Sequence, residues 1–355
     1  MASPLRIGVI GYGYWGPNLV RNFAEVDGAE VRGVADARDA RLALVRRRYP
    51  AISVTTDAAR LINDREIDAV VVATPVSSHY ALVRAALQAG KHVLVEKPLA
   101  GSAAESQELV ALAKAKRLTL MVDHTFIYTS AVQKLKELTT HGIGEAYYFD
   151  SVRTNLGLFQ SDVNVIWDLA PHDLSILLFL FGRMPTAVSA IGASHVNALE
   201  DTAYINLLFD DQFIAHIHVS WLAPVKIRRI VLSGSQQMIV YDDVETSEKV
   251  RIYDKGVSVV PASQDDIYRM LVQYRMGDMH SPSIEHVEAL QTESRHFIDC
   301  VRRGTAPTTS GAFGLQIVRL LEAADASMKA GGAVQRFAAA RRAPTSPRRR
   351  QRVAA

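Results

Sequence analysis

A lysine that could act on a reacting oxygen lies at the end of a predicted strand. Lys97 and Pro98 directly follow KHVLVE (91–96), a short apolar run that ends in Glu96 and predicts a buried strand. In open parallel sheets, ligands bind in the crevice at the carboxyl ends of the strands. The sequence therefore predicts that the Lys97 ammonium lies in such a crevice, and an ordinary polar strand end is the alternative.

A carboxylate and an imidazole with the spacing of one helix turn lie further along the chain. Asp168 and His172 share a helix face if the segment leading into DLSILLFLFG is helical, and Pro171 then lies in the first turn, where proline is tolerated. A carboxylate beside an imidazole orients the ring and raises its basicity. We therefore expect Asp168 to orient His172; a structural histidine at an interface is the alternative.

A glycine-rich turn with the spacing GxGxxG directly follows a predicted strand, LRIGVI (5–10), and opens a predicted helix. Its first glycine allows a tight turn, its second lets the backbone approach a pyrophosphate, and its third lets helix and strand pack closely. The helix N-terminus adds unpaired N–H groups that attract phosphates. The residues predicted to hold a dinucleotide here are Gly11, Tyr12, Gly13, Tyr14, Trp15 and Gly16.

The choice of dinucleotide depends on Asp36, which ends the second predicted strand. A carboxylate there accepts hydrogen bonds from the ribose hydroxyls and repels a 2′-phosphate, which predicts NAD rather than NADP. Arg38 could favour the phosphate or lie along the adenine, and we include it in the predicted cofactor site. A role for Asp36 as a cap of the helix 38–48 is the alternative.

Strands alternate with helices over the first 122 residues. β-Branched runs occur at 5–10, 29–35, 67–73, 91–96 and 117–122, and helix-period segments occur at 15–26, 38–48, 58–63, 79–89 and 102–116. Ser102 and Glu105 form a capping box, and Gly90 ends the preceding helix. This alternation predicts a dinucleotide-binding Rossmann domain over 1–122, an α/β fold with a doubly wound parallel sheet.

Residues 123–335 have the pattern of a different fold class. Strand-like runs occur at 145–156, 186–196, 202–210, 213–222, 227–235 and 236–243, with hairpin turns at FDDQF and SGSQQ and helices at 284–303 and 314–330. We expect an α+β substrate-binding domain with a large, mostly antiparallel open sheet. An uncovered sheet face would need a partner, which predicts a homo-oligomer, a dimer or a tetramer, formed through this sheet.

Composition excludes several classes of protein. A hydrophobic fraction of 48% and a charged fraction of 22%, without a long apolar run, predict a cytoplasmic globular protein with no membrane partner. Six arginines in residues 341–355, within the basic tail, 336–355, turn a net charge of −3 into +3, and we expect this tail to be disordered and nucleic acid not to be a partner. Because Cys300 is the single cysteine, no metal site is expected, although His216 and His218 alternate on one strand.

Three segments of the chain resemble the glucose–fructose oxidoreductase, inositol dehydrogenase and rhizopine catabolism (Gfo/Idh/MocA) family: GYGYWG, ATPVSSHYALVRAALQAGKHVLVEKPLA and WDLAPHDLSILLFLFG. The resemblance implies an NAD-dependent oxidoreductase that acts on CH–OH groups. The family's catalytic lysine, aspartate and histidine fall on Lys97, Asp168 and His172, and Ser175 stands where many members have a further aspartate. The residues that the resemblance adds to the cofactor site are Thr74, Pro75, His79, Glu96 and Lys97.

Two longer segments, GYGYWGPNLVRNF and VRTNLGLFQSDVNVIWDLAPHD, resemble family members that oxidise C3 of a UDP-linked N-acetylhexosamine. This implies a nucleotide-sugar substrate, UDP-N-acetylglucosamine first, and a pyridoxal-phosphate aminotransferase as a downstream partner in amino-sugar and lipopolysaccharide biosynthesis. Amide, guanidinium and aromatic groups suit sugar hydroxyls and ring faces, and Arg153 could instead bind a diphosphate bidentately. The predicted substrate residues are Lys97, Phe126, Tyr128, Arg153, Asn155, Gln160, Asn164, Trp167, Asp168 and His172.

The resulting hypothesis is hydride transfer from a secondary sugar alcohol to nicotinamide. His172 takes the hydroxyl proton, Lys97 stabilises the developing alkoxide and Asp168 orients His172, with Lys97 as the proton acceptor in the alternative. Other open interpretations are an inositol or free-sugar dehydrogenase, a nucleotide-sugar ketoreductase, and a non-catalytic dinucleotide-sensing regulator whose tail contacts nucleic acid.

Overall fold

Strands and helices alternate along the first part of the chain, as the sequence predicts. The computed structural model describes residues 3–157, 159–259 and 272–337. The strands are β1 (Leu5–Ile10), β2 (Ala29–Ala35), β3 (Ser53–Thr55), β4 (Ala69–Val72), β5 (His92–Glu96) and β6 (Leu120–Asp123). The helices are α1 (Gly16–Glu25), α2 (Asp39–Arg48), α3 (Ala58–Asn63), α4 (Val76–Gln88) and α5 (Ala103–Lys116). Ser102 caps α5 as expected, because its hydroxyl accepts a hydrogen bond from the Glu105 N–H.

These six strands form one parallel sheet in the order β3-β2-β1-β4-β5-β6. The chain order reverses between β1 and β4, where a doubly wound sheet leaves a crevice for a ligand. Strand β4 is buried along its whole length, because helices cover both faces of the sheet. The doubly wound Rossmann fold is confirmed, and β3 was missed because three residues carry too short a pattern.

A second sheet of nine strands follows. Its strands are β7 (Ala146–Leu156), β8 (Ala187–Ala193), β9 (Thr202–Leu208), β10 (Ile214–Ser220), β11 (Leu222–Gly234), β12 (Met238–Asp242), β13 (Val250–Val259), β14 (Val272–His280) and β15 (Gln335–Arg336). Their order is β14-β13-β12-β11-β7-β10-β9-β8-β15, and every pair is antiparallel except β7 with β10. The predicted large, mostly antiparallel sheet and its two hairpins, β9–β10 and β11–β12, are confirmed.

The remaining described helices connect the two sheets. They are α6 (Ser130–His141), α7 (Val165–Phe181), α8 (Ala289–Arg303) and α9 (Gly311–Lys329), and a 3₁₀ turn spans Thr125–Tyr128. Helix α9 contributes Val318 to the core of the first sheet and Leu320 to the core of the second. Helix α8 returns to the first sheet, where the Phe297 ring packs on Phe23 with centroids 6.2 Å apart. Helices α8 and α9 therefore fix the two sheets relative to each other on either side of the crevice.

One face of the second sheet packs on α7 and α9, and the other carries large side chains that stay accessible. Burial alternates along β9, so that Ile205 is fully buried whereas Tyr204 is 40% exposed. Tyr148 and Ile214 on neighbouring strands are also exposed. This face is therefore uncovered in the described part of the chain and carries large accessible side chains, and it is the surface from which the sequence predicts oligomerisation.

The end of the described chain still belongs to this sheet. Arg336 is the register partner of Ala187, so the predicted tail, 336–355, begins too early, inside β15. Residues 338–355 lie outside the described residues. None of the described helices is both long and apolar enough to cross a membrane.

Candidate active site

Lys97 and Asp168 meet across the crevice between the two sheets. Lys97 directly follows β5, and its Nζ donates a hydrogen bond of 2.6 Å to the main-chain oxygen of Asp168 in α7. The same Nζ lies 3.3 Å from Oδ1 of the Asp168 carboxylate. The other oxygen, Oδ2, accepts a bond of 3.0 Å from Nε1 of the buried Trp221. Asp168 therefore fixes the ammonium of Lys97.

His172 lies one turn later in α7, but it is not the partner of Asp168. Both carboxylate oxygens of Asp168 are used by Lys97 and Trp221, and Nδ1 of His172 is buried without a hydrogen-bond partner. The prediction that Asp168 orients His172 is therefore wrong. The placement of Pro171 in the first turn is also wrong, because α7 begins at Val165 and Pro171 falls in its second turn.

The environment of His172 keeps its imidazole neutral. Burial lowers the pKa of His172 well below 6.5, and the nearby charges of Lys97, Arg153 and Arg228 lower it further. The ring packs edge-on against Phe126 with centroids 5.0 Å apart, which fixes its plane. A neutral imidazole beside a fixed ammonium can accept a proton while the ammonium stabilises an oxyanion.

The guanidinium of Arg153 does not point its paired N–H groups toward the crevice. Its Nε and Nη2 donate to the carboxylate of Asp173 at 2.6 and 3.2 Å, and the side chain is buried. The expectation that Arg153 binds a diphosphate bidentately is therefore wrong, since those N–H groups are occupied by a protein carboxylate. The accessible arginine beside it is Arg228 in β11, which sequence analysis missed because its strand pattern carries no site signal.

Two predicted substrate residues have structural roles instead. The Asn164 side chain caps α7 by accepting from the Trp167 N–H, and its Nδ2 donates to Glu200 and Asp325. The Tyr128 hydroxyl is buried against the Thr309 hydroxyl at 3.0 Å. Asparagine is a favoured N-cap residue, so the signal for the Asn164 role was present in the sequence.

The other predicted substrate residues remain near the crevice. The Phe126 ring contacts His172 and the guanidinium of Arg153. Asn155 is half-buried in β7, at the end of the strand that adjoins Gly157 and Trp221. Gln160 is half-buried in the loop before α7, and Trp167 is half-buried where it touches the cores of both sheets. These four side chains stay candidates for substrate contacts.

The glycine turn after β1 has the shape that a dinucleotide requires. Gly11 has a φ of +98°, and a Cβ there would lie 2.3 Å from the Ala73 oxygen. A Cβ on Gly16, the first residue of α1, would lie 2.1 Å from the Gly11 oxygen. A Cβ on Gly13 would meet only Arg38, at 3.7 Å. The first and third glycines thus permit close packing, whereas the second leaves open space of the kind that a pyrophosphate fills.

Asp36 is fixed at the end of β2, beside this turn. Its Oδ2 accepts a bond of 2.7 Å from the Tyr12 N–H, and its Oδ1 accepts one of 2.9 Å from the Arg38 N–H. Burial raises the pKa of Asp36, but these hydrogen bonds outweigh it and the net pKa is lowered. The carboxylate is therefore charged and can accept hydrogen bonds from ribose hydroxyls. Tyr14 and Trp15 are exposed at the same turn.

His79 positions the turns that border the crevice and does not itself lie in it. The imidazole is fully buried, with Nδ1 2.8 Å from the Pro98 oxygen and Nε2 2.9 Å from the Thr74 oxygen. The prediction that His79 touches the cofactor is wrong for this reason. Thr74 and Pro75, which follow β4, stay partly accessible at the crevice.

Glu96 is also turned into the protein. Its carboxyl is buried beside Asp123 at the end of β6, and burial, followed by the charge of Asp123, raises the pKa of Glu96 well above 4.5. The neighbouring Glu293 is likewise buried, and its Oε1 accepts from the His124 N–H at 3.1 Å. A side-chain contact from Glu96 to the cofactor, predicted from the sequence, therefore does not fit its position.

The alternating histidines of β10 have other partners. Nδ1 of His216 lies 2.6 Å from the Asp150 carboxylate, and the His218 ring stacks on Tyr204 with centroids 4.3 Å apart. Among residues 3–157, 159–259 and 272–337, no three His, Cys, Asp or Glu side chains are arranged to hold a metal ion.

Two family profiles match the chain. The profile described as an oxidoreductase family with an NAD-binding Rossmann fold matches residues 5–124. The profile described as the GFO/IDH/MocA C-terminal domain matches residues 134–240. Together the two profiles cover the first sheet, strands β7 to β11 of the second, and the positions of Lys97, Asp168 and His172.

Relatives and solved structures are similar to this chain over most of its length. UDP-N-acetylglucosamine 3-dehydrogenase of Acidithiobacillus ferrooxidans is 29% identical over 265 residues, 72% of this chain and 79% of that protein. Myo-inositol 2-dehydrogenase of Thermotoga maritima is 27% identical over 338 residues, 92% of this chain and 96% of that protein. The crystal structure of an oxidoreductase from Magnetospirillum magnetotacticum superimposes with a TM-score of 0.77 at 31% identity, covering 90% of this chain and 99% of the other.

Proposed function

Because the chain belongs to the Gfo/Idh/MocA family of NAD-binding oxidoreductases, we propose that it oxidises a secondary sugar hydroxyl, specifically C3 of UDP-N-acetylglucosamine, with NAD. The observation that carries the proposal is the hydrogen bond between Lys97 and the main-chain oxygen of Asp168, which holds an ammonium beside the neutral His172. The Acidithiobacillus relative supports the choice of substrate. The product would be the 3-keto nucleotide sugar.

Each group has a separate task in this mechanism. His172 accepts the proton of the hydroxyl, and Lys97 donates a hydrogen bond to the developing alkoxide. Asp168 positions Lys97 through its main-chain oxygen and Oδ1. A nicotinamide held at the glycine turn and Asp36 would supply the hydride acceptor.

Two features of the site support NAD as the cofactor and His172 as the proton acceptor. The fixed, charged Asp36 carboxylate suits ribose hydroxyls and repels a 2′-phosphate, and it also accepts a hydrogen bond of 3.3 Å from Nε of Arg38. The lowered pKa of His172 leaves the imidazole unprotonated, which is the state that a proton acceptor in alcohol oxidation requires.

Inositol oxidation is the second candidate. Two inositol dehydrogenases, from Thermotoga maritima and Bacillus subtilis, align over 92% of this chain, and both act on ring hydroxyls that the same lysine and histidine could serve. Family membership makes the chain an oxidoreductase, so we drop the hypothesis of a non-catalytic regulator.

We also propose that the exposed face of the second sheet is buried between subunits of a dimer or a tetramer. The side chains that support this are Tyr148, Tyr204 and Ile214, which are large, accessible and on one face of the sheet, so that a subunit interface would bury them. A 3-keto sugar can accept an amino group from an amino-acid donor by transamination, so a pyridoxal-phosphate aminotransferase is the proposed consumer of the product.

A substrate panel tests the proposed function. Purified full-length protein is incubated with NAD and, separately, UDP-N-acetylglucosamine, UDP-glucose, myo-inositol, scyllo-inositol and glucose, and NADH absorbance is followed. A 2-oxo acid is added in a parallel series as an electron acceptor, because retained NADH would hide turnover. We expect the highest kcat/KM with UDP-N-acetylglucosamine and a product two hydrogens lighter; a higher kcat/KM with an inositol would contradict the proposal.

A further inference from the structure

Two arginines face each other across neighbouring strands beside the candidate active site. Arg228 in β11 is the register partner of Arg153 in β7, and like charges in directly opposite positions repel. The Phe126 ring lies 4.5 Å from Cζ of Arg153 and 5.6 Å from Cζ of Arg228. The same ring packs against His172. One aromatic ring therefore contacts both guanidinium groups and the imidazole.

Arg153 is the buried member of the pair. Asp173 accepts from its Nε and Nη2, whereas its Nη1 is buried and has no hydrogen-bond partner. A buried N–H without an acceptor is costly, and the two remaining Nη1 hydrogens leave the positive charge incompletely matched. Arg153 therefore contributes positive potential to its surroundings without being open to a ligand.

Arg228 is the accessible member of the pair. Its side chain is 35% exposed, and its one hydrogen bond to a described residue runs from Nη1 to Asp243 at 3.2 Å. That carboxylate also accepts from the Tyr241 hydroxyl at 3.1 Å and lies 3.8 Å from Nζ of Lys249. The Asp243 carboxylate thus accepts from Arg228 and Tyr241 and also pairs with the charge of Lys249. The other N–H groups of Arg228 have no partner among the described residues and remain open to a bound anion.

The electrostatic balance in this region is positive. Four cations, Lys97, Arg153, Arg228 and Lys249, face three carboxylates, those of Asp168, Asp173 and Asp243. The same excess is felt at His172, where Lys97, Arg153 and Arg228 all lower the pKa. An anion bound here would restore the balance.

We propose that Arg228 is a specificity-determining residue that binds an anionic substituent of the substrate, a phosphate or a carboxylate. The Phe126 ring separates this substituent from the oxidised carbon at His172. A guanidinium edge binds two oxygens of such groups at once. The inference rests on the proposed function: in a UDP-linked sugar, the first phosphate is joined to C1, two ring carbons from the C3 hydroxyl that faces His172. Inositols and free neutral sugars offer no such group.

The test compares charged and neutral sugars in matched variants. Arg228→Gln removes the charge, Arg228→Lys keeps the charge without the fork, and Arg295→Gln removes one exposed charge from α8 as a control. The values of kcat/KM are measured with UDP-N-acetylglucosamine, N-acetylglucosamine 1-phosphate, glucuronate and N-acetylglucosamine, and the Kd of UDP is measured by calorimetry. Circular dichroism confirms that each variant is folded.

We expect Arg228→Gln to lower kcat/KM about 10–100-fold for the anionic substrate that the wild type uses, mainly through KM, and to change it less than about threefold for N-acetylglucosamine. Arg228→Lys should be intermediate, and Arg295→Gln should equal the wild type. The Kd of UDP should rise in parallel if phosphate is the anion.

Each other outcome is decisive. Equal losses for charged and neutral sugars, no loss in Arg228→Gln, or a wild type that binds neither UDP nor glucuronate would overturn the inference. Turnover of UDP-N-acetylglucosamine that does not depend on Arg228 leaves the proposed function standing without the inference. A dependence on Arg228 with glucuronate alone supports the inference, identifies a carboxylate as the anion and rejects the proposed substrate.

Discussion

Replacing Asp168 distinguishes a residue that holds Lys97 from one that orients His172. Alanine leaves the N–H of Trp221, which is 1% exposed, without an acceptor, at a cost of about 1–3 kcal/mol. It also removes an ion pair whose members are only 14% and 21% exposed, so we expect Asp168→Ala to lower the free energy of unfolding by about 2–4 kcal/mol in total. Asp168→Asn should lose about 1 kcal/mol, because its amide oxygen can still accept from Trp221.

Activity should respond differently from stability. In both variants Lys97 keeps the 2.6 Å bond to the main-chain oxygen of residue 168, so the ammonium stays in the crevice but is less well fixed. We expect kcat to fall about 10–100-fold in Asp168→Asn and Asp168→Ala alike. The acid limb of the pH profile should not move, because Asp168 makes no bond to His172.

Chemical denaturation and the pH dependence of kcat/KM measure the two effects. Asp299→Asn is the matched control, because its carboxylate is 46% exposed and lies 3.9 Å from Arg303, and such pairs contribute about 0–1 kcal/mol. Wild-type kcat in Asp168→Asn would refute the positioning role. A shifted acid limb would instead support the hypothesis that Asp168 orients His172.

The other expected outcomes concern pH and cofactor choice. Burial and then neighbouring cations hold the pKa of His172 well below 6.5, so kcat/KM should stay constant through pH 6.5 and fall only at lower pH. Because the unfolded chain binds this proton first, the free energy of unfolding should decrease as pH falls below 6.5. An acid limb at or above pH 6.5 would contradict this. Burial and then Asp123 raise the pKa of Glu293 well above 4.5, so the folded protein keeps a proton that the unfolded chain releases as pH rises above 4.5, and this costs stability. Glu293→Gln removes that cost and should raise Tm at about pH 8 by about 1–2 °C. An unchanged Tm would count against this. Asp36→Asn should lower the ratio of kcat/KM for NAD over NADP about tenfold, whereas a constant ratio would remove the assigned role of Asp36.

Turn residues and helix caps made the first sheet predictable from the sequence. The bounds of β1, β2 and α3 agree with the predicted ranges, because capping residues, turns and β-branched runs act over a few neighbouring residues. The place of Lys97 after a buried strand follows from the same signals. The second sheet was predicted in class and hairpins, whereas the parallel pairing of β7 with β10 joins segments that no local pattern connects.

The contacts of the candidate site were less predictable, because they join residues far apart in the chain. Asp168 is four residues from His172, but its carboxylate bonds to Trp221, 53 residues later, and to Lys97, 71 residues earlier. Arg228 was missed for the same reason, since its position opposite Arg153 depends on strand register. Side-chain chemistry identified the candidates, and only the fold determined their partners.

The most direct test of the central claim, that Lys97 and His172 act on one carbinol, is single-turnover hydride transfer from 3-deuterated and unlabelled UDP-N-acetylglucosamine. We expect Lys97→Met and His172→Ala each to slow hydride transfer at least about 100-fold, with the Kd of NAD nearly unchanged and the double variant little slower than either single variant. Wild-type-like hydride transfer in either single variant would contradict the claim.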